Sequence, residues 1–141
     1  MEPKKRPKII IDAENAILGR LASYAVKQSL LGKEIAIVNA EKAIILGTEQ
    51  SIMETYKIRR ARGGSGLRGP FFPTTSERIL KRTIRGMLTY KKGRGAEAFE
   101  RIKAYNGIPK EFEEAPKIKS GKGGKGVTLK RVSQLLRGGL Q

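Results

Sequence analysis

Cysteine, histidine and tryptophan are absent from this 141-residue chain. Without Cys there is no disulfide, no thiol nucleophile and no cysteine zinc site. Without His there is no Ser-His or Cys-His pairing. Aromatic residues make up only 6% and do not cluster, so a strand-borne platform of stacking rings is not expected. No apolar run reaches the length of about 18 residues that a membrane-spanning helix needs. The N-terminus reads MEPKKRPK, and the apolar run behind it covers residues 9–11 alone. That is too short for a secretory signal, so a cytoplasmic location is expected. Acids are few as well, 13 against 30 Lys and Arg. Asp12 with Glu14, and the triplet Glu111, Glu113 and Glu114, have no base, nucleophile or metal cluster near them in sequence. Asp12 reads as a cap or turn residue and the triplet as a solvated loop. No catalytic residue, metal site, cofactor or small-molecule substrate is assigned.

What is abundant is positive charge, +17 for the whole chain. It is unevenly placed: residues 1–50 carry +2, residues 51–100 +8 and residues 101–141 +7. The densest stretch, residues 57–94, has twelve Lys and Arg against one acid, Glu77. Such a segment repels itself unless a polyanion neutralises it, which points to nucleic acid or an anionic membrane surface as partner. The length suits one compact core.

The apolar pattern organises the first third. Residues 8–12 (KIIID) read as a strand. Residues 13–15 turn, with Asn15 as the expected N-cap of a helix. Leu18, Leu21, Ala22, Ala25 and Leu30 have helical spacing, and Gly32 is a suitable stop. Residues 35–38 (IAIV) are apolar without alternation, as in a strand covered on both faces. Strand, helix and buried strand predict a βαβ unit with a parallel pair. Residues 43–46 read as a third strand ended by Gly47, and residues 51–62 as a helix. The loop GGSGLRGPFFP is irregular. Thr74 and Glu77 match a capping box, opening a helix that runs to about residue 90. Residues 91–95 break it. A further helix is expected over 96–103, then an edge segment over 104–108. Residues 109–126 read as an extended piece ordered only on a partner. Residues 127–137 read as a short amphipathic helix. The fold class is α/β, a small, mostly parallel sheet flanked by helices. Residues 1–108 form the domain, and 109–141 a basic extension.

On the helix after Thr74, Arg78, Lys81, Arg82 and Arg85 follow i, i+3, i+4, i+7 and make one basic stripe. Leu80, Ile84, Met87 and Leu88 share that spacing on the other side. Like charges at that spacing cost about 0.2–0.5 kcal/mol per pair. Gly64, Gly66 and Gly69 match a dinucleotide fingerprint formally, as do Gly121, Gly123 and Gly126. Neither has the preceding strand and following helix that the chemistry needs. Both loops read instead as places where the backbone comes close to phosphates. Phe71, Phe72, Tyr90 and Tyr105 stand beside the basic clusters, where they either stack on bases or anchor loops.

DAENAILGRLAS, IVNAEKAIILG, RRARGGSGLRGPFFPTTSERILKRTIRGML and AFERIKAYNGIP, in this order, together resemble the universal large-subunit ribosomal protein thirteen family, of archaeal and eukaryotic type. Thr89 stands where family members usually carry Pro. The resemblance implies a structural, non-catalytic constituent of the large subunit that binds and organises 23S-type rRNA early in assembly, beside neighbouring ribosomal proteins. It implies an RNA-facing loop with Arg59, Arg60, Arg62 and Arg68. It implies an RNA-facing helix with Lys81, Arg82 and Arg85, continued by Lys91, Lys92 and Arg94; the glycines Gly64 and Gly66 and the stripe residue Arg78 are added as RNA contacts from the reading of the loop and helix themselves. Two other readings stay open on the residues alone. One is a general DNA-compacting protein; the other is a nucleotide-binding enzyme suggested by the βαβ start.

Overall fold

The computed structural model describes residues 8–63, 75–89, 91, 93–119 and 126–138, with the backbone alone at 59–63 and 137–138. Strand β1 (Lys8–Asp12) leads through helix α1 (Leu18–Leu30) to β2 (Glu34–Val38), and β1 and β2 pair in parallel with Ile9 opposite Ile35 and Ile11 opposite Ile37. Two further parallel strands complete the sheet. β4 (Ile102–Ala104) lies beside β2 and β5 (Ile118–Lys119) beside β1, so the order is β4-β2-β1-β5. Strand β3 (Ile44–Leu46) stands apart, paired antiparallel with β6 (Gly126–Thr128).

Alternation decides what each face covers. Ile9, Ile11, Ile35, Ile37 and Ile102 point to one side, where they meet the helices in the main core. Burying β-branched side chains there suits both the strand backbone and the hydrophobic effect. On the opposite side Ile10, Ala36 and Val38 are covered by Phe112 and Tyr105. Among the described residues the helices therefore lie on one face, and the 3₁₀ turn Lys110–Phe112 closes the other. Its ring is 4% exposed and tilts against Tyr105 with centroids 5.7 Å apart.

Helix α1 buries Leu18, Leu21, Ala22, Ala25, Val26 and Ser29, the expected stripe. Its N-cap is Ile17, without a side-chain cap bond. Asn15 is instead a left-handed turn residue (φ 61°) whose N–H donates to the Lys42 carbonyl at 3.1 Å. Asn tolerates that conformation, so its value lies in the turn and not in capping. Gly32, at φ +96°, ends the helix as expected. Helix α2 (Glu49–Gly63) buries Ile52, Met53 and Tyr56.

Helix α3 (Ser76–Gly86) is shorter than its sequence suggested. It begins after Thr75, whose side chain makes no cap bond, and residues 87–89 turn away. The expected capping box rests on Thr74; one oxygen of the Glu77 carboxylate accepts the Asn106 amide. Thr74 lies outside the described residues. The next helix, α4 (Gly93–Glu100), starts within the expected break, and the residues expected to continue it form β4. Ile102 is the reason: it is fully buried opposite Ile35, a tertiary pairing that outweighs local helical spacing. Gly95 sits directly on the backbone and hydroxyl of Thr89, where a Cβ has no room.

The segment from residue 109 is not simply extended. Phe112 seals the second face, and Ile118–Lys119 add a parallel strand to β1. Residues 120–125, with Gly121 and Gly123, lie outside the described residues. Gly126 makes a close approach, but to this chain's own Ile45 carbonyl across the β3–β6 pair. Helix α5 (Leu129–Gly138) follows, and its Leu129, Val132 and Leu136 join the main core. Among the described residues no helix is long and apolar enough to cross a membrane.

Candidate nucleic-acid interface

Helix α3 carries the described part of the basic cluster. Ser76, Ile79, Leu80 and Ile84 are buried. Leu88 is half-buried and Met87 exposed, so the apolar side is narrower than the spacing suggested. The expected stripe also divides. Arg78 is exposed, and Arg82 and Arg85 are half-buried. Lys81 turns inward: its ammonium donates to the Phe99 carbonyl at 3.3 Å and to the Ile102 carbonyl, and lies 3.9 Å above the Phe99 ring. Long side chains bury their stems readily when the head finds partners. Burial, with the Lys103 charge adding to it, pushes the Lys81 ammonium down to about 8.

Arg94 is also engaged within the chain. Its guanidinium donates to the Leu30 carbonyl at 3.1 Å, and Arg101 donates to the Ser29 carbonyl at 2.9 Å. Both carbonyls lie at the C-terminus of α1, where a cation complements the helix dipole. Ser29 in turn donates to the Ala98 carbonyl at 2.6 Å, fastening α1 to α4. Lys91 is exposed. The side chains of Arg59, Arg60 and Arg62 belong to the part of α2 described by backbone alone. Gly64, Gly66, Arg68, Lys92, Phe71, Phe72 and Tyr90 lie outside the described residues.

A polar corner supports α3 from the carboxyl ends of the strands. Asp12, at the end of β1, accepts from the Glu14 N–H and from the Asn39 side-chain amide, both at 3.0 Å. Asp12 is thus the turn residue its sequence position suggested. Asn39, left-handed at φ 57°, donates its N–H to the Gly107 carbonyl at 2.8 Å. The Gly107 N–H donates to the Glu41 carboxylate at 2.8 Å. One residue earlier, the Asn106 amide donates to the Glu77 carboxylate at 2.6 Å. The first turn of α3 is thereby tied to the loop after β4. Sequence reasoning did not find the Glu77–Asn106 pair or the Arg94 and Arg101 caps. The one available signal was that Glu77 is the sole acid among the cations of residues 57–94.

The arrangement can bind and orient a polyanion. Among the described residues no group of three or more His, Cys, Asp or Glu side chains is placed to hold a metal ion. The model of the family Ribosomal protein L13 matches residues 6–111. The large ribosomal subunit protein uL13 of Methanosarcina barkeri is 51% identical over 110 residues, 77% of this chain and 78% of that protein. The uL13 of Methanococcoides burtonii is 49% identical over 106 residues, covering 75% and 76%. The uL13 of Archaeoglobus fulgidus is 44% identical over 135 residues, covering 90% and 86%. The family match thus takes in β1, β2 and β4, the polar corner and α3, and the chain belongs to the ribosomal protein L13 family, as a structural ribosomal protein and not an enzyme.

Proposed function

We propose that this chain is built into the large ribosomal subunit, where it binds and organises 23S-type rRNA early in assembly. The observation that carries the reading is the net +11 of residues 57–94 on a fold that fastens α3 rigidly to its sheet. Arg59, Arg60, Arg62, Arg68, Arg78, Arg82, Arg85, Lys91 and Lys92 supply charge to phosphates of separate RNA segments. Gly64 and Gly66 let the backbone come close. Arginine's planar fork suits bidentate phosphate contacts, which position RNA without reading its sequence. Lys81 and Arg94 serve the same surface from within, by bonding the elements that carry it. Other large-subunit proteins are the neighbours, and the location is cytoplasmic and ribosome-bound.

Affinity on this reading is mostly electrostatic. With about six phosphates contacted, the log–log salt slope for cognate rRNA is near −4 to −5. The test has two parts. The protein is expected to travel with the large subunit in a high-salt sedimentation gradient, and to prefer large-subunit rRNA over duplex DNA in competition. A slope near zero refutes the electrostatic mechanism. Equal competition by duplex DNA refutes rRNA as the partner and favours a general nucleic-acid protein.

A further inference from the structure

The lone acid of the basic cluster presents a contradiction. A carboxylate on an RNA-binding helix repels phosphate, so on charge alone Glu77 weakens binding. Yet it is not an idle surface group: it accepts the Asn106 amide at 2.6 Å. Asn106 belongs to the loop that the Asn39 N–H and the Glu41 carboxylate hold through Gly107. One turn further along α3, Lys81 reaches the same segment of chain through the carbonyls of Phe99 and Ile102. Residues 77 and 81 are i and i+4, neighbours on one side of the helix. Both are therefore bonded to residues 99–106, and they add polar anchors to the buried Ile79, Leu80 and Ile84 in setting the rotation of α3 about its own axis. The exposed Arg78 and the half-exposed Arg82 and Arg85 are held at set positions by it.

We infer that Glu77, through its bond to Asn106, is a positioning residue for the RNA-binding face of α3. This rests on the reading of that face as the rRNA contact. Glu77 touches no RNA; it orders the arginines that do, and their orientation before binding removes an entropic cost at the moment of binding.

Charge and position predict opposite signs, which makes the test sharp. Affinity of the full chain for deproteinised large-subunit rRNA is measured at fixed salt and 25 °C, with circular dichroism confirming that each variant is folded. Glu77→Ala raises the net charge by one, yet it is expected to weaken binding by about 2- to 10-fold, the range of one lost hydrogen bond. Glu77→Gln raises the charge equally but keeps an acceptor for Asn106, and is expected to bind at least as tightly as the wild type. Asn106→Ala loses the same contact but keeps the repelling carboxylate, so it is expected to weaken binding at least as much as Glu77→Ala, and the double variant to be no weaker than Asn106→Ala, as for two residues acting through one contact. Tighter binding by Glu77→Ala overturns the inference. So does an additive loss in the double variant. Arg78→Gln combined with Arg82→Gln reports on the underlying reading: reduced affinity supports it, and unchanged affinity overturns the RNA face itself, whatever Glu77 does.

Discussion

Replacing Phe112 by Ala tests whether the segment after residue 109 belongs to the fold of the free protein. Phe112 is 4% exposed and covers Ala36 and Val38, on the side of the sheet that carries no helix among the described residues. It also packs on Tyr105, and the Lys8 ammonium lies 4.6 Å from its centroid. Truncating a buried Phe to Ala costs about 3–5 kcal/mol, more where the gap cannot collapse. This cluster is small and near the surface, so it can partly collapse, which places the expectation near 3 kcal/mol. Loss of the cation–π contact contributes about 0.5–1 kcal/mol of that. For a domain of this size the shift in Tm is about 10 °C, at about 3–4 °C per kcal/mol. The assay is thermal and denaturant unfolding of the isolated protein without RNA, with limited proteolysis of the lysines at 110 and 117. If the variant loses less than about 1 kcal/mol and the wild type is already cut rapidly at those lysines, the segment folds only on a partner. The packing argument then fails.

Three further outcomes follow from particular contacts. Arg78→Glu combined with Arg82→Glu is expected to weaken rRNA binding and flatten the salt slope by about 1.4–1.8, at about 0.7–0.9 per lost contact, while Tm measured on the free protein changes little. Lys81, pushed down to about 8 by burial and Lys103, binds its proton less tightly in the folded than in the unfolded chain. Stability relative to Lys81→Met should therefore rise with pH between about 8 and 10.5 and level off below 8, by no more than about 2 kcal/mol given the part of the side chain left in water; a fall over that range in paired denaturant titrations contradicts the burial argument. Gly126→Ala forces a Cβ onto the Ile45 carbonyl and should cost about 1–3 kcal/mol, whereas Gly19→Ala, with open space around it in α1, should gain up to about 1 kcal/mol; equal effects in thermal melts refute the close-approach reading.

The first third of the chain was legible because unbroken apolar runs at residues 9–11 and 35–38 mark short buried strands, and Leu18, Leu21, Ala22 and Ala25 at helical spacing name the buried face of α1. The later strands were not. β4, β5 and β6 are three, two and three residues long, too short to show any period. They exist because β2, β1 and β3 offer an edge to pair with. Their partners lie far off in sequence, and propensity does not encode that. Phe112 was missed for the same reason: a single aromatic in a Glu-rich loop has no pattern, only a place. In the interface the excess of charge was plain, but its division was not. Helical spacing put Lys81 with Arg78, Arg82 and Arg85. Whether a cation faces solvent or a carbonyl depends on which neighbouring backbone is within reach of its stem. Here that backbone is the end of α4 and the start of β4, elements the sequence had placed differently.

The residues that carry the family resemblance are in large part not cations. Asp12, Asn39, Glu41, Asn106 and Gly107 all come from its motifs, and they meet at the carboxyl ends of β1, β2 and β4. In open α/β sheets that edge is where ligands usually enter. In this chain its polar groups are spent on one another: the Asp12 carboxylate on the turn and on Asn39, the Glu41 carboxylate on Gly107. An edge closed in this way has little left to offer a nucleotide, which argues against the enzyme reading on physical grounds independent of the family match. It has something else to give. Three loops that are bonded to each other move as one body, and α3 is attached to that body through Glu77. The corner converts the stiffness of the parallel sheet into a fixed orientation for a helix outside it. That is what a scaffold for a flexible polyanion requires, since arginines spaced by a rigid frame select one arrangement of phosphates among many.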